Sequence, residues 1–583
     1  MVNGPLSIEP TQSPERAAAP GPAAPTAAPV PSATRPGLDS ALVAAWIGAV
    51  AVGLIAFGLS IWRLMPGLGF WDTAEFQMVL PVMGTAHPTG YPTYVLIGWL
   101  ASILLAPLGE AALRMNVLSA ILVAVGAAVT VDLARRLTGS LVFGVAAGIG
   151  IALTPIVWAI GTHADPHALH FTLIAIILWL LVRWEQARRG GPLERPASSV
   201  AAGDATMNAD TLGETDSRRA DRLLLAAAVV VGLSVGNHSL TLLFGPPIIL
   251  FVLAVEPGVL QRRRFILANI AAFAIPTILV RFEMILRAGW FRAPFVYADP
   301  STWNGFWYVT LGAQFHGWLT DPFSNAPKRL ADLATMAVDQ LGPLAPVLFI
   351  AFVVTAVRQP RYALLTGTTM ALTAFFNSVY PDGAIDRYYI VPALIAWAWL
   401  AILGATVVDS VVGFGPVGDR GRGWRSWLPP DPRSAARPVG LLIVAALLLA
   451  PSLSAVPDRA GSSAIDRTND RAAQRWTSQV LAALEPNAVV VSWWSYSTPL
   501  WYATIVDGRR PDILIVDDRD REDQNLLELS QVIDLYIATR PVYLIRNGTS
   551  ELAALAGRYE LVALAQPTVS NVLQVFPIGA AGR

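Results

Sequence analysis

The sequence predicts a polytopic α-helical membrane protein with a small α/β domain after its last span. Bulk composition is the first observation: the 583 residues are 54% hydrophobic and 14% charged, with a mean hydropathy of +0.51, too apolar for a soluble chain of this length. The second is pattern. Apolar residues fall in stretches of roughly the 20 that a helix needs to cross a bilayer, not in the alternation of barrel strands. Third, breaks rich in arginine are interspersed with breaks rich in Trp and Pro, and such basic asymmetry orients spans.

Residues 1–40 are Pro/Ala-rich and lack the short apolar core of a cleavable leader, so a disordered tail and an uncleaved first anchor are expected. Candidate spans run over 41–62, 112–134, 141–160, 168–185, 222–240, 242–257, 264–282, 332–357, 362–379, 388–408 and 438–456. The stretch Tyr91 to Pro107 is near the lower length limit and either crosses or lies at the membrane face. Arginines decide between these. If it lies in the interface, Arg135/Arg136, Arg183 to Arg189, Arg218/Arg219, Arg262 to Arg264, Arg358/Arg361 and Arg420 to Arg425 share one side, which is then cytoplasmic. The expectation is therefore about eleven spans plus an interfacial helix, making a 41–456 transmembrane domain in the plasma membrane. The N-terminus is cytoplasmic and residues 457–583 are extracytoplasmic, where AVVVSWW, DILIVDD and PVYLIRN read as strands alternating with helices.

That topology, set by basic residues alone, gathers a second set of polar groups on the outer face: Asp72, Glu75 and His87; His163, Asp165 and His167; Asn237 and His238; Asp382, Asp386 and Arg387. Asp72 and Glu75, spaced i, i+3, share a helical face and could hold an acceptor hydroxyl or a cation, although an acidic residue in a first helical turn is ordinary. In GTHADPHALHF the histidines suggest zinc, but Pro166 most simply opens the next helix with Asp165 as its cap, which leaves substrate contact by Asp165 or His167 as the better reading. In GLSVGNHSLTLLFGPP a hairpin turn explains Gly236 and Asn237 and leaves His238 unexplained; polar groups at that depth are costly unless paired or functional. Arg387, beside Asp386 and followed by Tyr388, is either an interfacial anchor or a phosphate ligand.

Several chemistries are excluded or unsupported. The chain has zero net charge and no cysteine, so thiolate nucleophiles, disulfides and Cys-ligated metals are out, and no basic domain suggests a nucleic-acid partner. Neither a Walker loop nor a GxSxG elbow occurs where it could work.

The stretches WDTAEF, AHPTGYP, GLSVGNH, DRYYIVPA and LEPNAVVVSWWSYSTPLWYATIVDGRRPDILIVDD, covering about Trp71 to Asp518, together resemble a GT-C-like membrane family of bacterial proteins of unknown function that includes a eukaryotic protein O-mannosyltransferase. The resemblance implies a GT-C fold, a polyprenyl-phosphate sugar as donor, and an acidic base in the first outer loop, which here is Asp72 with Glu75 as companion. It implies transfer of a sugar such as mannose to a hydroxyl of a protein, lipid or glycan acceptor, with protein Ser/Thr expected. Where relatives have His-Pro-Pro this chain has Thr89 for the second proline, and their second-loop acidic position corresponds to Asp165. On this reading Asp72 activates the acceptor, Arg387 and His238 meet the departing phosphate, configuration inverts, and no cofactor or essential metal is needed. A transporter and a non-catalytic envelope-assembly protein are the rival classes.

Overall fold

The computed structural model describes residues 40–189, 209–318, 320–321, 323, 326–380, 385–412, 432–526, 528–565 and 569–579. The expected N-terminal tail up to residue 39, Asp382 and the arginine run 420–425 lie outside them. Among the described residues, eight helices are long and apolar enough to cross a membrane: Ser40–Trp62, Ala111–Thr138, Pro166–Arg189, Ser217–Asn237, Arg263–Gly289, Ala326–Arg358, Ile385–Val411 and Ala436–Gly461. Two of the three remaining predicted spans are modified by their own turn-forming residues. The stretch 141–160 is broken at Leu153 and Thr154, because Pro155 disfavours helix in the residue before it, giving Leu141–Ala152 and Pro155–Ile160. The stretch 242–257 opens as a 3-10 turn from Ser239, and only Gly245–Val255 is α-helical. Pro360–Val379 forms at its predicted place.

The ambiguous segment is a 13-residue helix, Pro92–Leu104. At 1.5 Å per residue it is about 20 Å long, short of the ~30 Å hydrocarbon thickness. Its exposed Trp99, Leu100, Ile103 and Leu104 give it one apolar outer face, as expected of a helix lying in the interface.

Burial ranks the long helices. The most apolar window of Pro166–Arg189 and of Ile385–Val411 is 83% buried, and that of Ala111–Thr138 is 67% buried, against 22% for Ser40–Trp62 and 11% for Arg263–Gly289. Lipid gives no hydrophobic drive between helices, so close approach depends on small residues. A Cβ on Gly126 would lie 2.3 Å from the Phe171 ring, and one on Gly150 would lie 2.4 Å from Trp397. Gly126→Ala is therefore expected to cost about 1–3 kcal/mol through overpacking, read as a lower melting temperature in detergent; an unchanged melt would contradict the tight seam.

The basic loops meet at one end of the bundle. Arg188 pairs with Asp221 at 2.5 Å and Glu256 at 2.9 Å, Arg262 with Glu256 at 3.1 Å, Arg361 with Glu185 at 3.3 Å, and Arg136 with Asp132 at 2.7 Å. The predicted polar set lies at the opposite ends of the same helices: His167 opens the helix that Arg188 closes.

Among the described residues the C-terminal domain holds the strands β1 Val489–Val491, β2 Leu514–Val516, β3 Val542–Ile545, β4 Tyr559–Ala563 and β5 Val572–Pro577. They form one sheet of order β2-β1-β3-β5-β4. The first three are parallel, and the antiparallel β4–β5 hairpin was not expected from the sequence. β1 and β3 are buried along their whole length, so they read as unbroken apolar runs. This domain sits against the polar end of the bundle, where Phe70 meets Trp476 at 5.8 Å and Arg63 pairs with Asp466 at 3.0 Å.

Candidate functional site

The site is assembled by a buried polar knot. Asn116, fully enclosed, accepts from Gln77 Nε2 and from the Ala164 amide, each at 2.9 Å, and donates to the Met65 carbonyl at 2.9 Å. Gln77 in turn accepts from the Gly69 amide at 2.9 Å and donates to the Gly67 carbonyl at 3.0 Å. These bonds tie the loop before helix Trp71–Val82 to the segment before helix Pro166–Arg189. Arg287 donates to the carbonyls of Met83 at 2.9 Å and Val82 at 3.0 Å, satisfying the far end of helix Trp71–Val82. Trp71 and Tyr91, which open this helix and the interfacial one, both hold φ in the left-handed region, at 58° and 47°. Non-glycine residues there cost of order 1 kcal/mol or more each, strain that surrounding packing must offset.

A cavity of about 660 Å³ opens at this end, lined among others by Trp71, Asp72, Phe76, His87, Tyr91, His167, Tyr297, Gln314, Arg387, Tyr388 and Trp494. The two most buried helices, Pro166–Arg189 and Ile385–Val411, each deliver part of the wall. Asp72 shows 31% of its side chain to this space. Its Oδ1 accepts from the Trp494 indole at 3.0 Å and its Oδ2 lies 3.6 Å from the Arg387 guanidinium. Burial alone would raise the Asp72 carboxyl; the His87 and Arg387 charges and the indole N–H outweigh it and hold the group below its ordinary value.

Glu75 is corrected from its expected place beside Asp72 at the acceptor. It is fully buried, turned into the bundle, and both its oxygens are taken by His87, Oε1 by the backbone N–H at 2.7 Å and Oε2 by Nδ1 in a close contact. Burial pushes the Glu75 carboxyl up. Burial would lower the His87 imidazole, but Glu75 and Asp72 overcome it and raise it to about 9, so His87 is a cation at neutral pH. Asp72, Glu75 and His87 bring one ligand atom each within 4.8 Å of one another. A cation could sit among them only by displacing the proton between His87 and Glu75.

Asp165 caps its helix as expected, its Oδ1 accepting from the His167 amide and Nδ1, both at 2.8 Å. Its Oδ2 faces His163 at 3.7 Å and Arg387 at 3.8 Å. Burial opposes its charge, and His167 and Arg387 overcome this to keep it well below the usual carboxylate range. Arg387 thus bridges two carboxylates, Asp72 and Asp165. Asn237 is scaffold: it is buried and donates to the Pro166 carbonyl at 3.1 Å. His238 stands behind the cavity wall, its ring 5.7 Å from Tyr388 and 5.0 Å from His167. Its Nδ1 accepts from the Leu240 amide at 3.2 Å, which puts the neutral ring's proton on Nε2, and that buried atom has no partner. His167 Nε2 is likewise buried without one. Asp386 is the residue the structure leaves out, since its side chain is exposed and is not part of the cavity wall. Sequence reasoning missed Trp494, Tyr297 and Gln314, which lie far along the chain from the loops they complete.

A helical bundle with a polar, aromatic-walled cavity at one end and a small α/β domain over it defines a multi-pass membrane protein of GT-C-like fold. Residues 72–258 match the family model described as the Protein O-mannosyl-transferase TMEM260 N-terminal domain. Asp72, Glu75, His87, Asp165, His167, Asn237 and His238 lie within the match and Arg387 lies beyond it. The mouse (Mus musculus) Protein O-mannosyl-transferase TMEM260 is 31% identical over 131 residues, which are 22% of this chain and 18% of that protein. The match therefore spans less than a fifth of its curated relative. Among solved structures, ArnT from Cupriavidus metallidurans bound to undecaprenyl phosphate superposes with a TM-score of 0.51 at 14% identity, over 92% of this chain and 98% of that one. Its apo form gives 0.51 at 15% identity over the same shares. At these identities the likeness is one of fold.

Proposed function

We propose that this protein is an inverting membrane glycosyltransferase that moves a sugar from a polyprenyl-phosphate carrier to an acceptor hydroxyl on the non-cytoplasmic face. Mannose and a protein Ser/Thr are the sugar and acceptor suggested by the mouse relative's name, and the carrier class is suggested by the lipid in the ArnT title. The observation that carries the reading is Asp72: an ionised carboxylate open to a ligand-sized cavity, with one oxygen held by an N–H and the other beside a cation. An acceptor hydroxyl hydrogen-bonded to Asp72 attacks the anomeric carbon, its proton passes to Asp72, and the bond from that carbon to the phosphate oxygen breaks. The leaving phosphate gains a negative charge as it departs, and Arg387 on the cavity wall would meet that charge where it grows. The arginines support this sidedness: the paired basic loops occupy the end opposite the cavity, and basic loops tend to face the cytoplasm.

The charged groups of the site sit at helix starts, whereas a transporter would carry them near the midplane in broken helices. Purified protein incubated with radiolabelled polyprenyl-phosphate mannose and acceptor extracts is expected to move label onto the acceptor. Label that stays on lipid while crossing a vesicle membrane would instead favour the transporter.

His87 makes the reading sensitive to pH. With its pKa raised to about 9 from the ordinary ~6.5, the imidazolium is present at pH 7 and is lost as pH rises through 9. Its pairing with Glu75 stabilises the fold fully below about 6.5 and ceases to do so above about 9. Turnover and thermal stability are both expected to fall on an alkaline limb centred near 9. Profiles that stay flat to pH 10 would remove the charge assigned to His87.

A further inference from the structure

The C-terminal sheet is docked with the ends of its parallel strands toward the cavity. Strand β1 ends at Val491, and the chain then runs through Ser492 and Trp493 to Trp494, the first residue of helix Trp494–Trp501. This turn is held by a fully buried relay. Ser497 Oγ donates to Asp517 Oδ2 at 2.5 Å, which commits its only hydroxyl proton, so Ser492 Oγ donates to Ser497 Oγ at 2.5 Å. The Ser492 amide donates to the Val516 carbonyl at 3.0 Å, fixing the turn to β2. Trp494 leaves that rigid base and enters the cavity wall, edge-on to His87 at 5.6 Å and to Tyr297 at 5.7 Å. Its indole reaches Asp72 across 422 positions of sequence.

From this arrangement, and resting on the proposal that Asp72 is the base, we infer that Trp494 is a positioning residue for the transfer: the C-terminal domain fixes the Asp72 carboxylate for the reaction. A carboxylate held only by Arg387 would be free to turn toward that cation. Trp494 on Oδ1 and Arg387 on Oδ2 give the group one partner per oxygen, one from each domain, and so fix its plane. A base held in plane presents its lone pair to the acceptor at no reorganisation cost, and small misplacements of such groups are costly in rate. The domain would then be part of the reaction site and not an appendage that only recruits the acceptor.

The test uses the full chain in nanodiscs with radiolabelled polyprenyl-phosphate mannose. Trp494→Phe keeps the ring contacts and removes the N–H. It is expected to lower kcat about 10- to 100-fold, the loss of a hydrogen bond to a charged group, with donor KM within about twofold. Trp493→Phe, which removes an indole N–H that reaches no partner, is expected to leave kcat near wild type. In the double variant Trp494→Phe with Asp72→Asn, turnover is expected to be no lower than with Asp72→Asn alone, because both act through one group. Wild-type kcat in Trp494→Phe, beside a silent Asp72→Asn, overturns the positioning role and leaves the base in place; wild-type kcat in Asp72→Asn overturns the reading beneath it. Independently of turnover, the indole N–H resonance that Trp494→Phe removes is expected to shift in Asp72→Ala. An unshifted resonance overturns the contact itself.

Discussion

Asp72→Asn is expected to lower turnover by about 10²- to 10⁴-fold, the usual worth of a general base, while the protein still folds and inserts. Asparagine keeps the shape and can still accept the Trp494 N–H, so the cavity wall is preserved and only the proton acceptor is lost. Donor binding should change little, since the role proposed for Asp72 is on the acceptor hydroxyl. The measurement is single-turnover transfer with saturating donor, alongside a melting curve in detergent. The size of the effect distinguishes chemistry from packing: a change of a few fold would mean that Asp72 only caps its helix.

Arg387→Gln is expected to have the second largest effect, about 10²- to 10³-fold in kcat, comparable to removing one donor from a site where charge develops. It also has a stability consequence that Asp72→Asn lacks. Arg387 lies between Asp72 at 3.6 Å and Asp165 at 3.8 Å, and without it two carboxylates face each other across the same pocket, one of them almost wholly buried. Unpaired buried charge is expensive, so a melting temperature several degrees lower is expected. Adding Asp72→Asn to Arg387→Gln removes one of those charges and is expected to restore the melting temperature without restoring turnover. Arg387→Lys should retain part of the rate, because it keeps the charge and loses the planar fork. If Arg387→Gln transferred sugar at the wild-type rate, the leaving group would have to be met elsewhere.

Much of this was legible from local sequence because the underlying physics is local. Span length, the proline that opens the helix at Pro166 and the strands at Val489, Leu514 and Val542 depend on neighbours a few residues away. The positions of Asp72, Asp165, His238 and Arg387 at one end of the bundle followed from arginines that mark the other end. What was not legible is long-range. Glu75 shares the spacing of a paired carboxylate with Asp72, and only tertiary structure decides that it turns inward to His87. Asp386 sits next to Arg387 in sequence, yet the 3-10 turn Ile385–Tyr389 sends the two side chains to different environments. Asn116 and Gln77 read as stray polar residues in apolar helices until the knot that binds three segments is seen. Trp494 lies in a stretch that carries the family resemblance, but nothing local in it points to Asp72; that contact exists only because the sheet docks on the membrane domain. The hairpin of β4 and β5 was missed because Tyr559–Ala563 and Val572–Pro577 lack the clean alternation that marks a half-buried strand.

The most direct test of the whole arrangement is the side of the membrane on which the cavity opens. The chain has no cysteine, so a single one can be introduced and labelled without background. Gln314→Cys lies on the cavity wall with Asp72, and Arg219→Cys lies at the arginine end, near the Arg188 to Asp221 pair. A membrane-impermeant maleimide added to intact cells is expected to label Gln314→Cys and to spare Arg219→Cys, which should react only in inverted vesicles. Labelling of Arg219→Cys from outside, with Gln314→Cys protected until inversion, would place the Asp72 cavity in the cytoplasm and contradict sugar transfer on the outer face.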